Sequence, residues 1–476
     1  MILNNLSKVV SIAGIAMVVP AVTSLCYCEW NDALVFGVVM CSAVVLGAVL
    51  SFIFKPKDTE IYSREGLIIT ALSWIVLSLI GAIPFVMTGA IPSYLDAFVE
   101  TVSGFTTTGA TVLDDVSTLS HGALMWRSFT HFIGGMGVLV LMIALTNKIT
   151  ERNIHIMRAE MPGPIVDKIT PRAKDTAKIL YLIYIGMTAL ETIMLLCGGM
   201  SVFESLAISF GTAGTGGFAV LNSSVATYSP YCQWVIGAFM MLFGVNFNIY
   251  FLILVGKAST ALKSRELWIY IGIIAVSTVA VFCDIFSQIG NIEQAIRTAF
   301  FQVSSIISTT GYTIANFSVW GNLAKTVLFI LMFLGGCAGS TAGGLKTSRA
   351  ILLVKMMRYE LGKVFRPRTV STVKFDGKKV EPRIIHGVGV YFALYFMMIL
   401  ALFLMLSFEP FSFETNFTVA VSAVNNVGPA FGSAFSSLSG YSPLAKLLLS
   451  FAMLFGRLEI YPMLMLFIPS TWSRKK

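Results

Sequence analysis

The sequence predicts an all-α membrane protein of ten transmembrane helices, with four re-entrant segments set in four like units of one chain. Composition, the spacing of apolar runs and a recurring glycine phrase carry that prediction. Of 476 residues, 56% are hydrophobic and only 12% are charged, against about 25% charged in soluble domains. A soluble core cannot absorb so much apolar surface, and many stretches reach the ~20 residues that span a bilayer. The phrases read Thr107-Thr108-Gly109-Ala110, Gly214-Thr215-Gly216-Gly217, Thr309-Thr310-Gly311-Tyr312 and Asn426-Val427-Gly428-Pro429. Their central glycines, Gly109, Gly216, Gly311 and Gly428, are 107, 95 and 117 residues apart. A near-regular period of that size signals one unit built four times.

The apolar runs place spans at about 9–28, 33–54, 66–90, 123–146, 179–199, 233–256, 267–287, 323–345, 387–407 and 445–469. The first run has no small-residue cleavage signal and reads as a retained helix. The first two spans (residues 1–60) stand outside the repeat, and the other eight form four pairs, in units 61–150, 151–260, 261–383 and 384–476. Inside each pair lies a short apolar stretch, at 94–105, 201–212, 294–307 and 413–424, that runs into a glycine phrase. Such stretches are too short to span and read as re-entrant half-helices.

Charge sets the orientation. Of 33 Lys and Arg, 28 fall in alternate connections or near the termini, with seven between Lys148 and Lys178 and eleven between Lys346 and Arg383. The positive-inside rule puts these connections and both termini in the cytoplasm. All four glycine phrases then lie toward the outer side. Glu29, Asp32, Asp96, Glu100, Asp114, Asp115, Glu204, Asp284, Glu293, Glu409 and Glu414 fall on that side too, and such an acidic face draws cations. The net charge of +9 is mostly this topology signal and does not argue for nucleic acid.

Non-helical backbone at membrane depth is tolerated only where it is buried in protein or lines water. Glycine lets a chain turn with positive φ and present its carbonyls. Four such loops around one axis can form rings of oxygen ligands in place of a cation's water shell. Few acids lie in the phrases, which suits a hard, weakly bound monovalent cation rather than a divalent one. The seven cysteines and four histidines show no metal-ligand spacing. Ser340 and His131 lack the partners of a catalytic set and no H-E-x-x-H occurs, so an enzyme is disfavoured. A secondary transporter of inverted repeats is disfavoured because every unit runs in the same order.

The phrases Ser103-Gly104-Phe105-Thr106-Thr107-Thr108-Gly109-Ala110-Thr111 and Gly214-Thr215-Gly216-Gly217-Phe218 resemble the filters of the Trk/Ktr/HKT superfamily of potassium transporters, and the chain is similar to its TrkH/TrkG branch over its whole length. The resemblance implies a fourfold pseudosymmetric, potassium-channel-like pore in one polypeptide of the bacterial inner membrane. It also implies a homodimer and a cytosolic, TrkA-like regulatory ring. No dinucleotide fingerprint occurs here, so nucleotide would bind the partner and this chain would need no organic cofactor. The implied potassium-binding residues are Thr107, Thr108 and Gly109; Gly214, Thr215 and Gly216; Thr309, Thr310 and Gly311; and Asn426, Val427 and Gly428. The fourth set departs most, with Asn426, Val427 and Pro429. Ion-coupled symport through the same filter is the alternative to channel-like uptake.

Two features interrupt the repeat. Residues 335–344 hold five glycines in ten, Gly335, Gly336, Gly339, Gly343 and Gly344, around Ser340 and Thr341. At about 1 kcal/mol each against alanine, they cannot hold a straight helix. Close helix packing is one reading, and an unwound gate below the filter is the other, which the resemblance supports. Arg457 and Glu459 interrupt the last span. Residues two apart do not face each other on a helix, so Arg457 needs water or another partner. The resemblance places it in the pore, against the 335–344 loop.

Overall fold

The computed structural model describes residues 2–55, 63–137, 173–365, 372–376, 378–435 and 437–472. These are helical apart from loops and a two-stranded antiparallel hairpin, β1 (Lys374–Phe375) and β2 (Lys378–Lys379). Six helical stretches are long and apolar enough to cross a membrane: Ile2–Cys26, Trp30–Ile53, Arg64–Met87, Thr176–Cys197, Arg265–Ile289 and Pro382–Leu406. A seventh is bent by 93° between Pro230–Phe243 and Phe247–Leu254.

The chain begins with α1 (Ile2–Ala16) and α2 (Val18–Cys26), which pack on α3 (Trp30–Ile53). Small residues let them approach: a Cβ on Gly14 would lie 2.9 Å from Met40 O. Close backbone contact of this kind holds helices together where lipid removes the hydrophobic drive. Asn4 Nδ2 adds a 3.0 Å bond to Ser51 O.

Four helix–short helix–helix sets follow. The leading helices are α4 (Ser63–Met87), α7 (Ala173–Cys197), α12 (Arg265–Ile289) and α16 (Pro382–Leu406). The short helices are α5 (Tyr94–Phe105), α8 (Val202–Gly214), α13 (Ile292–Ile307) and α17 (Phe413–Asn425). Each short helix starts on a side-chain cap, which satisfies an otherwise orphaned amide. Ser93, Ser201, Asn291 and Ser412 accept from the backbone of Asp96, Glu204, Gln294 and Thr415. Each short helix packs on its leading helix, and their C-terminal halves are buried in the centre of the molecule.

The closing helices are shorter than the spans expected at 123–146, 233–256, 323–345 and 445–469, and the last two break beside the glycine run 335–344 and the Arg457/Glu459 interruption singled out from the sequence. α6 (His121–Met136) ends at Gly137, whose φ is 78°, and residues 138–146 lie outside the described residues. α9 (Pro230–Phe243) breaks at Gly244 before α10 (Phe247–Leu254), and the short α11 (Ala258–Ala261) leads into α12. α14 (Asn322–Leu334) ends at Gly335, φ 70°, and the chain resumes as α15 (Thr347–Phe365). α18 (Pro443–Arg457) ends before Glu459 and Ile460, with φ of 56° and 68°, and α19 (Tyr461–Phe467) follows. Hydropathy carries straight through the breaks after Met136 and Phe243, so the apolar pattern hides those two, whereas the glycine run 335–344 and Arg457/Glu459 mark the others. Backbone turning, set by glycine and by tertiary partners, produces them.

Candidate functional site

The short helices end in one common way. Thr108 N donates to Ser103 O at 2.9 Å, Gly216 N to Gly211 O at 2.9 Å, Thr310 N to Ser305 O at 2.9 Å and Val427 N to Ser422 O at 3.0 Å. The residue before each donor is left-handed: Thr107, Thr215, Thr309 and Asn426 have φ of 54°, 57°, 56° and 55°. This is a Schellman-type stop with Thr or Asn where glycine is usual. Two residues on, Gly109, Gly217, Gly311 and Gly428 also have positive φ.

These segments meet in a closed ring. A Cβ on Gly109 would collide with Gly216 O, one on Gly217 with Thr310 O, one on Gly311 with Val427 O, and one on Gly428 with Thr108 O. Each segment thus touches the next and the fourth returns to the first, so only glycine fits. The same four glycines line one open cavity of about 190 Å³, walled by Thr111, Asp114, Arg127, Asn222 and Thr313 among others.

The ring shifts the register of the second phrase. Gly217, not Gly216, occupies the position of Gly109, Gly311 and Gly428, while Gly214 is the last residue of α8. The shared pattern is Thr/Asn-x-Gly, and counting from Thr215 rather than from the glycine cluster would have found it.

His131 is a further positioning residue that spacing did not reveal. Fully buried on α6, its Nδ1 lies 2.7 Å from Gly104 O and its Nε2 accepts from Phe218 N at 3.2 Å. It therefore ties the first short helix to the segment after Gly217, as the Nδ1–H tautomer inferred from those two partners.

Most of the acids expected on the outer side hold local structure. Glu100, 1% exposed, pairs with Arg127 Nε at 2.8 Å and accepts from Val112 N at 2.9 Å. Arg127 also stacks 4.1 Å over the Phe218 ring, joining the first two segments. Asp32 and Glu409 bind the capping Ser120 and Ser442, and Asp284 accepts from Ala324 N. Glu29 binds the first amides of α6, and Asp96 pairs with Lys446 at 2.8 Å. Anions at helix N-termini are stabilised by the unpaired amides and the helix dipole. Asp114 and Asp115 remain at the mouth, tied to Ser439 and Asn222. Hydrogen bonds from Ser117 and then Asn222 hold the Asp115 carboxyl below its ordinary range.

On the far side of the ring, residues 335–346 form a non-helical loop held by backbone. Cys337 N donates to Gly244 O at 2.8 Å, Phe247 N to Gly339 O at 3.1 Å, and Thr347 N to Gly336 O at 2.9 Å. Ala338 N donates to Glu266 Oε1 at 2.7 Å, Ser340 Oγ to Cys337 O at 2.6 Å and Thr341 Oγ1 to Phe243 O at 3.3 Å. Gly335 packs against Gly343 and Gly344 so closely that no side chain fits. Gly343 N reaches Thr309 Oγ1 at 2.6 Å. Arg457 Nη1 donates to Thr341 O at 2.7 Å, and its Nη2 to Gly134 O and Gly135 O at 2.6 and 2.8 Å. Glu459 instead pairs with Arg349, which lies 4.1 Å over the Tyr391 ring. Among the described residues no three His, Cys, Asp or Glu side chains converge to hold a metal.

Comparison with known proteins gives the family of the chain. Residues 34–476 match the family model described as "TrkH: Cation transport protein". The chain is 33% identical over 465 residues to the Trk system potassium uptake protein TrkH of Escherichia coli K12, covering 96% of this chain and 95% of that one. It is 32% identical to the Trk system potassium uptake protein TrkG of the same organism, covering 96% of each chain. It superposes on the crystal structure of the potassium transporter TrkH from Vibrio parahaemolyticus with a TM-score of 0.89, 29% identity and 99% coverage of both chains. The chain belongs to the TrkH family of cation transport proteins.

Proposed function

We propose that this protein takes up potassium across the cytoplasmic membrane through a pore whose filter is the ring of four glycine-centred segments. The observation that carries the reading is the closed set of glycine–carbonyl approaches from Gly109 through Gly217 and Gly311 to Gly428. A ring of neutral backbone and hydroxyl oxygens, opening on one cavity, replaces the water of a monovalent cation. The relatives named as potassium uptake proteins point to the same ion.

In this reading the ion-binding residues are Thr107, Thr108 and Gly109; Thr215, Gly216 and Gly217 with Gly214 at the helix end; Thr309, Thr310 and Gly311; and Asn426, Val427 and Gly428. The units 61–150, 151–260, 261–383 and 384–476 surround one pore as fourfold repeats. The 335–344 loop is the gate, through Gly335, Gly336, Gly339, Ser340, Thr341, Gly343 and Gly344, and Arg457 holds a positive charge beside it. Two copies assemble as a dimer over a cytosolic nucleotide-binding ring, and the termini are cytoplasmic.

The test is flux through purified protein in liposomes, with potassium, sodium and proton gradients imposed separately. Potassium moving down its own gradient, with the partner in its activating state, supports the pore. Potassium moving only with a proton or sodium gradient replaces it with coupled transport.

A further inference from the structure

The membrane-spanning part of α7, Thr176–Cys197, carries a single carboxyl, Glu191. Its side chain is fully buried, and neither carboxyl oxygen has a hydrogen-bond partner among the described residues. The seam between α7 and α8 is otherwise apolar, with Tyr184 and Leu195 in one cluster with Ile208 and Ala213. A bare carboxylate in such a place is very costly. Acids at membrane depth are paired with a base or carry a task, and no base pairs with Glu191 among the described residues.

The polar group that faces Glu191 is the hydroxyl of Thr212, in the last turn of α8. A hydroxyl has one hydrogen to give, and Thr212 Oγ1 donates it to Ile208 O at 2.9 Å. Toward Glu191 it can therefore only accept, so a hydrogen between the two belongs to the carboxyl. Ile208 O also lies 3.2 Å from Tyr312 Oη, which is 3.2 Å from Phe218 O as well. Tyr312 follows Gly311 of the third segment, and Phe218 follows Gly217 of the second. Tyr312 is fixed at its other end too, where Ser305 Oγ donates to Tyr312 O at 2.6 Å. A Cβ on Gly211 would strike the Tyr312 hydroxyl, so α8 makes room for it. A line of polar groups thus runs from Glu191 through Thr212, Ile208 O and Tyr312 to two of the four glycine segments.

We propose that Glu191 is a proton-carrying carboxyl that donates to Thr212, and that this donation positions the second and third segments against each other. Its ligand is a proton, and its part in ion selection rests on the pore reading above. With Glu191 neutral, Thr212 keeps its hydrogen on Ile208 O, and that carbonyl is shared between Thr212 and Tyr312. Hydrogen bonds in such a chain polarise one another where the dielectric is low. A charged Glu191 reverses the first bond: Thr212 turns its hydrogen to the carboxylate and releases Ile208 O, and Tyr312 loses the partner group that fixes its distance from α8. Glu191 touches no ion in this arrangement and acts only through Thr212 and Tyr312.

The experiment pairs infrared spectroscopy with potassium-over-sodium selectivity, both on the full-length protein in liposomes at neutral pH. The difference spectrum of wild type minus Glu191→Gln shows the carbonyl stretch of a protonated carboxyl, shifted in deuterium oxide. A difference spectrum that shows a carboxylate instead, or no protonated carboxyl, overturns the inference. Glu191→Gln, whose amide donates to Thr212 as the acid does, keeps the selectivity to within about twofold, while Glu191→Leu, which fills the space without a donor, loses about tenfold, the size of one buried hydrogen bond. Glu191→Gln as unselective as Glu191→Leu overturns the inference, and so does a Glu191→Leu protein as selective as the wild type. If Glu191→Leu does not fold, Thr212→Val, which removes the acceptor and keeps the branched shape, is expected to show the same loss, and unchanged selectivity there overturns it. A wild type that passes potassium and sodium alike overturns the pore reading, while the infrared band still decides whether Glu191 holds a proton.

Discussion

Arg457 donates to Thr341 O at 2.7 Å although 116 residues separate them in the chain. That bond ties the end of α18 to the middle of the 335–346 loop. The same guanidinium holds Gly134 O and Gly135 O of α6, so one side chain spans the first, third and fourth units beneath the ring.

Arg457→Ala removes three bonds from a charged donor and, on the proposed function, a positive charge from the ion path. Hydrogen bonds to charged groups contribute about 1.5–3 kcal/mol, so the seated loop loses at least about tenfold in population. Rubidium flux in liposomes is expected to rise by a similar factor. Flux at or below the wild-type level in a folded protein would remove Arg457 from the proposed gate.

Gly217→Ala tests the register of the second segment. Gly217 has φ of 78°, and its Cβ would strike Thr310 O. Backbone strain alone is of order 1–3 kcal/mol, and the collision adds to it. The variant is expected to lose potassium selectivity and thermal stability to the same degree as Gly311→Ala. A Gly217→Ala protein as selective as the wild type would show that this glycine does not belong to the filter.

Glu100→Ala leaves Arg127 buried at 2% exposure without its carboxylate. Breaking one side of a buried pair costs about 3–5 kcal/mol, so the melting temperature in detergent should fall sharply. Because the pair joins the first two segments, selectivity should fall too, and a variant as stable as the wild type would contradict this account.

The tie of Asp115 to Ser117 and Asn222 is expected to survive mild acid. Its carboxyl titrates below the ordinary value of 3.8 because Ser117 and Asn222 bond the charged form. A depressed carboxyl stabilises the fold above its unfolded pKa and loses that contribution as pH falls through the lower folded value. Protection of Ser117 N against hydrogen exchange, measured relative to its intrinsic rate at each pH, should therefore persist down to about pH 4 in the wild type and be absent in Asp115→Ala. Protection already lost between neutral pH and about pH 5 would refute the assignment.

Much of the architecture was legible because membrane insertion depends on local composition. The apolar runs located the long helices, and the short helices lie within two residues of the stretches read from sequence. The Ser and Asn caps that start them are local signals too. The ring of glycine segments was nearly legible: three phrases held their register, but among Gly214, Gly216 and Gly217 only backbone φ and the neighbour across the ring decide which glycine closes it.

By itself, the sequence determined a membrane chain of helices, the four short helices and the four glycine phrases, because hydropathy, capping and turning are properties of neighbouring residues. Only the tertiary structure decided where the first two closing helices break, that Glu100 belongs to Arg127 and Glu459 to Arg349, that Asp32, Asp284 and Glu409 sit at helix starts, and that Gly343 rests on Thr309. Those are contacts between groups 27 to 110 residues apart. No periodicity encodes them, because the partner of a buried charge or amide is whatever packing brings within 3 Å of it, and in this protein packing joins one unit to the next.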